Sequence, residues 1–200
     1  MAFEVDVEHL NHLGIVAEVC REIVVAEWLD AQDPTSRLRV SVGTATVAMV
    51  LNGLGFSNRQ LYLVSQFFAD KPVEHLLGAG LRAADLNDDC LGRTLDWLYA
   101  HDVTALFAGV ALRARRAFGG SLRRVHADTT SFAVSGAYMP VEGDLDAQTI
   151  AVTHGYSRDH RDDLKQWMLA LVTSEDGLGS VLGSPQLCVV VRRPWHQHWL

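Results

Sequence analysis

The first constellation that could do chemistry in this 200-residue sequence is VHADTTSFAVSG, which sets an aspartate, Asp128, among hydroxyl residues. The stretch alternates apolar and polar positions and is rich in Val, Thr and Phe, which predicts a β-strand. A carboxylate at a strand centre is costly unless it is paired, hydrogen-bonded, bound to a metal or turned to water. The ordinary reading is an edge-strand aspartate facing solvent, and the sharper one is a metal ligand. A second polar constellation is THGYSRDHRDDLKQW, which holds His154, Arg158, Asp159, His160, Arg161, Asp162, Asp163 and Lys165. Charges mixed at this density read first as a solvated turn. The alternative is a polar shelf where Arg158 and Lys165 meet phosphates. A third is basic: five of the twelve residues from Arg113 to Arg124 are arginines, namely Arg113, Arg115, Arg116, Arg123 and Arg124. At a helix C-terminus they complement the helix dipole, and beside DNA they would contact phosphate oxygens.

The elements that carry these groups follow from periodicity. Leu10, Leu13, Val16, Cys20, Ile23, Val24 and Trp28 recur at helical steps and predict one long amphipathic helix over residues 8–31, ended by Asp33-Pro34. SVGTATVAMVLNGL, residues 41–54, is nearly all apolar and predicts a central helix. Ser57 with Gln60 matches a capping box, so a third helix is expected from Asn58 to Asp70. VEHLLG is a short helix, and Asn87 caps another whose buried side is Leu91, Leu95 and Leu98. A fifth long helix runs over residues 103–118 until Gly119-Gly120 breaks it. After residue 120 the period changes from about 3.6 to about 2, which sets a domain boundary there. RRVHADTTSFAVSGAY, TIAVTHGY and QWMLALVTS then predict three antiparallel strands.

Composition narrows the function. Hydrophobic residues make up 48% and charged residues 20%, the balance of a chain with a real core. Cys20, Cys90 and Cys188 are odd in number and far apart, against a disulfide framework or a cysteine zinc site. The N-terminus has acids where a signal peptide has lysines, and no window reaches ~18 uninterrupted apolar residues. The expected location is cytoplasmic, with no membrane partner. Neither GxxxxGK[ST] nor a strand-following GxGxxG occurs, which removes most of the case for NTPase or dinucleotide chemistry. The net charge is −7, yet all 24 acids precede Gly177 and none follows it. In the tail, His196 and His198 have no further ligand nearby and read as an accidental pair, and the His101-Asp102 dipeptide is uninformative.

Four ordered runs resemble one family: LNGLGFSNRQLYLVSQFFADKPVEHLLG, LNDDCLGRTLDWLY, HADTTSFAVSGAY and THGYSRDHRDDLKQ. Together they are similar to the N-terminal half of DDE-type insertion-sequence transposases of the IS-four-like group, over roughly residues 7–177. The resemblance implies an α+β chain, with an all-α N-terminal domain over residues 1–120 and the first β-strands of an incomplete RNase H-like core over residues 121–177. A divergent tail then occupies residues 178–200. It implies that Asp128 is the first of three carboxylates holding two divalent metals, Mg²⁺ or Mn²⁺, in the complete enzyme. Two such ions about 4 Å apart activate a nucleophile and stabilise the leaving oxygen of a phosphodiester. The implied activity is metal-dependent DNA cleavage and strand transfer at element ends. The partners are the terminal inverted repeats, with self-association or pairing with full-length transposase.

The departure comes after SEDG. LGSVLGSPQLCVVVRRPWHQHWL stands where the family places a GN-acid segment with the second carboxylate, and the third is missing too. Translation in a shifted frame accounts for such a tail. The expectation is a transposase fragment that is inactive alone and holds no metal stably. The rival is a noncatalytic DNA-binding or regulatory fragment. The segment from Thr44 to Asp70 has the outline of a helix-turn-helix, with Asn58, Arg59 and Gln60 where base contacts would form. Leu61, Leu63, Val64, Phe67 and Phe68 make its second helix mostly core, so the arginines are preferred as DNA contacts.

Overall fold

The computed structural model describes residues 7–34, 38–121, 123–137, 152, 154, 161 and 163–177. Helices come first and strands last, an α+β arrangement, and the chain divides into compact units of residues 1–119 and 120–200.

The first unit is built around α3 (Val42–Leu54), with Ala45, Ala48 and Leu51 wholly buried. Its apolar residues go almost all the way round, as a helix surrounded by others requires. On it pack α1 (Leu13–Glu22), α2 (Val25–Asp30), α4 (Val64–Phe67), α5 (Val73–Leu77) and α6 (Asp88–Ala100). The start of α3 is doubly capped. Ser41 Oγ accepts from the Thr44 amide at 3.1 Å, and Asp30 Oδ1, from the last residue of α2, accepts from the Gly43 amide at 2.7 Å. A carboxylate there also complements the helix dipole. Gly43 is what lets the two helices meet: a Cβ at this position would lie 2.1 Å from the Ala26 carbonyl oxygen.

The long N-terminal helix expected over residues 8–31 is two helices. Val24 takes a left-handed backbone, φ 49°, between α1 and α2. That is a strained state for a β-branched residue. The break shifts the buried stripe. Leu13, Ala17 and Cys20 face inward on α1, Val25 and Leu29 on α2, and Val24 itself is exposed. A straight helix would have continued the stripe through Val24.

The helix expected from Asn58 is also corrected. Residues 55–60 form a loop, a 3₁₀ turn covers Leu61–Leu63, and α4 has only four residues. The cause is Asn52, a buried side chain at the end of α3. Its Nδ2 donates to the Arg59 carbonyl at 2.7 Å and its Oδ1 accepts from the Arg59 amide at 2.9 Å. Both Arg59 backbone groups are thereby used outside any helix. Gln60 is extended, with φ −59° and ψ 158°, so the Ser57–Gln60 capping box does not form.

The later helices follow the sequence more closely. Asn87 caps α6 through the Cys90 amide at 2.9 Å. The buried side of α6 is Leu91, Thr94 and the partly buried Leu98, whereas Leu95 is exposed. Thr94 is tolerated inside because its hydroxyl donates to the Cys90 carbonyl at 2.9 Å. Helix α7 (Val103–Phe118) is capped by Asp102 and stopped by Gly119 at φ 68°. It meets α2 through Trp28, which occupies the space a Cβ at Gly109 would take, 2.4 Å from the ring. The Arg113 guanidinium lies 3.8 Å over that ring and donates to the Gly109 carbonyl at 3.0 Å.

The second unit contains an antiparallel pair, β1 (Val125–Val134) and β2 (Lys165–Ser174), in register from Val125↔Ser174 to Val134↔Lys165. The strand expected at TIAVTHGY lies outside the described residues except Val152 and His154, which are in neither helix nor strand.

Two stability predictions follow from these contacts. Gly43→Ala must push α3 off the α2 backbone and is expected to cost about 3 kcal/mol, whereas Gly53→Ala, on the same helix with open space around it, gains about 0.5 to 1 kcal/mol. Urea unfolding of both variants checks this, and equal effects would contradict it. Arg113→Ala removes the cation from Trp28 and is expected to cost about 1 kcal/mol; an unchanged midpoint would show that the stacked guanidinium adds nothing.

Candidate nucleic-acid interface

Asp128 stands fourth in β1, opposite Leu171. It is exposed, and its Oδ1 accepts from the Thr129 amide at 2.8 Å. By strand alternation it shares a face with His126, Thr130, Phe132 and Val134, and with their partners Thr173, Leu171, Leu169, Trp167 and Lys165. On that face Phe132 and Trp167 stack, with ring centroids 4.4 Å apart and planes 13° apart. The ladder thus displays an aromatic pair towards one end and a carboxylate towards the other.

Two described acids beside the strands, Asp163 and Asp176, stand apart from it. Asp163 precedes the Lys165 end of β2, which is opposite Val134, six positions from Asp128 and so roughly 20 Å along the strand. It is held by Arg161 in a two-bond pair, each 2.8 Å, and that hydrogen bonding lowers its pKa. Asp176 lies at the near end of the ladder, where its Oδ2 accepts from the Ser121 amide at 2.7 Å. Asp159 and Asp162 lie outside the described residues, as do His196 and His198. Among the described residues no three of His, Cys, Asp and Glu are grouped to hold a metal ion. Burial raises the pKa values of the Cys20 and Cys90 thiols, so both stay protonated at neutral pH.

The expected phosphate contacts fall into different states. Arg113 is taken up by Trp28 and the α7 backbone. Arg115 and Arg116 are exposed in the last turns of α7. In the second unit Arg123 is exposed, and Arg124 Nε lies 3.8 Å from Glu175 Oε2. Lys165 Nζ donates to the Ala137 carbonyl, which turns it to the backbone. Arg158 lies outside the described residues.

Sequence reasoning passed over Phe56. It is 85% exposed at the tip of the 55–60 loop, with its ring against His12 at a centroid distance of 4.3 Å. A signal was present: Phe56 lies between Gly55 and Ser57-Asn58, turn formers on both sides, and belongs to no apolar stripe. Among the described residues no helix is long and apolar enough to cross a membrane.

No curated protein and no solved structure matches this chain. A family profile does, over residues 5–112 and thus over most of the helical unit, so the chain belongs to the family described as Domain of unknown function (DUF4277).

Proposed function

We propose that this chain is the DNA-binding part of a DDE-type insertion-sequence transposase, with Asp128 as the first metal-binding carboxylate of an RNase H-like core. DUF4277 is found in transposase-like proteins, which supports the reading. The observation that carries it is the order of parts: that domain, then at once a strand with an aspartate at a fixed inner position, paired antiparallel with a second strand. A strand holds a carboxylate with little freedom, which suits a ligand shared between two hard cations. Mg²⁺ or Mn²⁺ is the metal of the complete enzyme. It would supply an activated oxygen nucleophile and a neutralised leaving oxygen; Asp128 would anchor it. The partner is DNA at element ends, met at its phosphates by Arg116 and Arg123, and the location is cytoplasmic.

Alone, this chain is proposed to bind DNA without cutting it, because one carboxylate cannot organise two octahedral shells. The test has two arms. Binding to element-end duplex is measured against salt, and Arg116→Ala and Arg123→Ala are each expected to lower the slope of log K on log salt by about 1. Nicking of supercoiled plasmid with Mn²⁺ is compared between the chain and Asp128→Ala, with equal background expected in both. Cleavage that disappears in the variant would make this chain an active nuclease by itself. Absence of DNA binding would overturn the reading.

A further inference from the structure

Residues 55–60, GFSNRQ, join α3 to the turn at Leu61, and their backbone is fixed at several points. The Leu54 carbonyl just before them accepts from His12 Nε2 at 2.7 Å. The Gly55 amide donates to the Asn52 carbonyl at 3.3 Å, and a Cβ on Gly55 would lie 2.7 Å from the Phe67 ring, so the loop starts pressed on the core. The Phe56 ring lies tilted against His12, with centroids 4.3 Å apart and planes 54° apart. The Asn52 side chain then grips both backbone groups of Arg59. A loop this constrained has little conformational entropy left to lose on binding.

What the loop displays is unusual for a solvent turn. Phe56 is almost wholly in water, and Ser57, Asn58, Arg59 and Gln60 are all exposed. Among the described residues the side chains of these four make no hydrogen bond or ion pair with the protein. Asn, Gln and Arg are among the side chains that read the base edges and the width of the minor groove. Phe is among the apolar wedges that enter between base steps. In the sequence the loop lies within a stretch without acids, residues 34 to 69, in a chain with 24 of them. A helix starting at Asn58 would be mostly core, which would work against base contacts here. The structure removes that objection, since Asn58, Arg59 and Gln60 precede the buried Val64 and Phe67 as a loop.

We infer that the 55–60 loop is a base-reading element for duplex DNA, in which Asn58, Arg59 and Gln60 hydrogen-bond to base edges in the minor groove and Phe56 wedges against a base step from the same side. The inference rests on the transposase reading only in taking DNA as the partner. It assigns sequence recognition to a loop of the helical unit and leaves phosphate contact to Arg116 and Arg123.

The test uses the full chain with the element-end duplex and with a mixed-sequence duplex, each carrying 2-aminopurine beside a central mismatch, where a wedge enters at least cost; base reading requires tighter binding to the first. Binding is read by anisotropy and unstacking by 2-aminopurine fluorescence. The wild-type chain is expected to bind and raise the fluorescence. Phe56→Ala should abolish the rise and weaken binding about tenfold, with the salt slope unchanged. Arg59→Gln, whose backbone grip on Asn52 is untouched, should weaken binding to a similar degree, and both variants should melt at the wild-type temperature. Arg116→Ala should change the salt slope and keep the fluorescence rise. Wild-type binding that neither loop variant alters overturns the inference and leaves the transposase reading standing; no DNA binding by the wild type overturns both. Loss confined to the single strand, or a change in self-association with DNA affinity intact, would replace groove reading by single-strand or protein contact.

Discussion

The approach of α3 to the backbone of α2 at Gly43 is the contact on which the helical unit depends. With no side chain between them, the Asp30 carboxylate can reach the Gly43 amide and cap α3 from outside. Capping and close packing therefore reinforce each other: separating the helices would strand an amide at a helix start as well as open a gap. Because α3 touches α1, α2, α4, α5 and α6, an error at this contact would spread to most of the core. The left-handed Val24 fits the same picture. Its strain of about 1 to 3 kcal/mol is sustained because Val25 and Leu29 are thereby buried.

How much of this was legible depends on whether an element is decided locally. Helix α7 is: Asp102 caps it, Gly119 ends it, and its apolar front and basic end agree with dipole and burial, so its expected bounds match. Strands β1 and β2 are likewise signalled by alternation and β-branched residues, and Asp128 lies inside β1 as expected. The failures come where a distant group overrides a local pattern. Nothing around Val24 marks a helix break, because the break is set by what α2 must bury. Ser57 and Gln60 form a sound local capping signal, which the Asn52 side chain defeats from five to eight positions upstream. Leu95 and Thr94 exchange inside and outside for a similar reason, since one turn of helix cannot tell which side of Leu91 faces α3.

The candidate site was legible in its residue types and less so in their states. Five arginines in twelve residues read as one basic cluster, yet the structure gives them different occupations. Arg113 is spent on Trp28, where the planar guanidinium stacks as a lysine would not, and Arg124 is near Glu175. A count of cations along the sequence thus overstates the charge on offer to a phosphate. The reverse holds for Phe56 and Asn58 to Gln60. They carry one formal charge among them and so escaped a search by charge, but a pinned backbone with exposed amides, a guanidinium and a ring offers more chemical information than a run of arginines.

The net charge does not by itself decide against the proposed polyanionic partner. At physiological salt an exposed charge is screened within about 8 to 10 Å, so an approaching polyanion responds to the surface it faces more than to the total of −7. In this chain the acids are segregated. Asp33 and Asp70 bracket a stretch without acids that includes α3, the 55–60 loop and α4. Arg39, within that stretch, is already paired with Asp85, and its hydrogen bond lowers the Asp85 pKa. Within residues 55–60 the one charged side chain is Arg59, among neutral hydrogen-bonding groups. For the proposed DNA contact, one cation in the loop gives little phosphate attraction, so discrimination would rest on the shape and hydrogen bonding of the groups displayed.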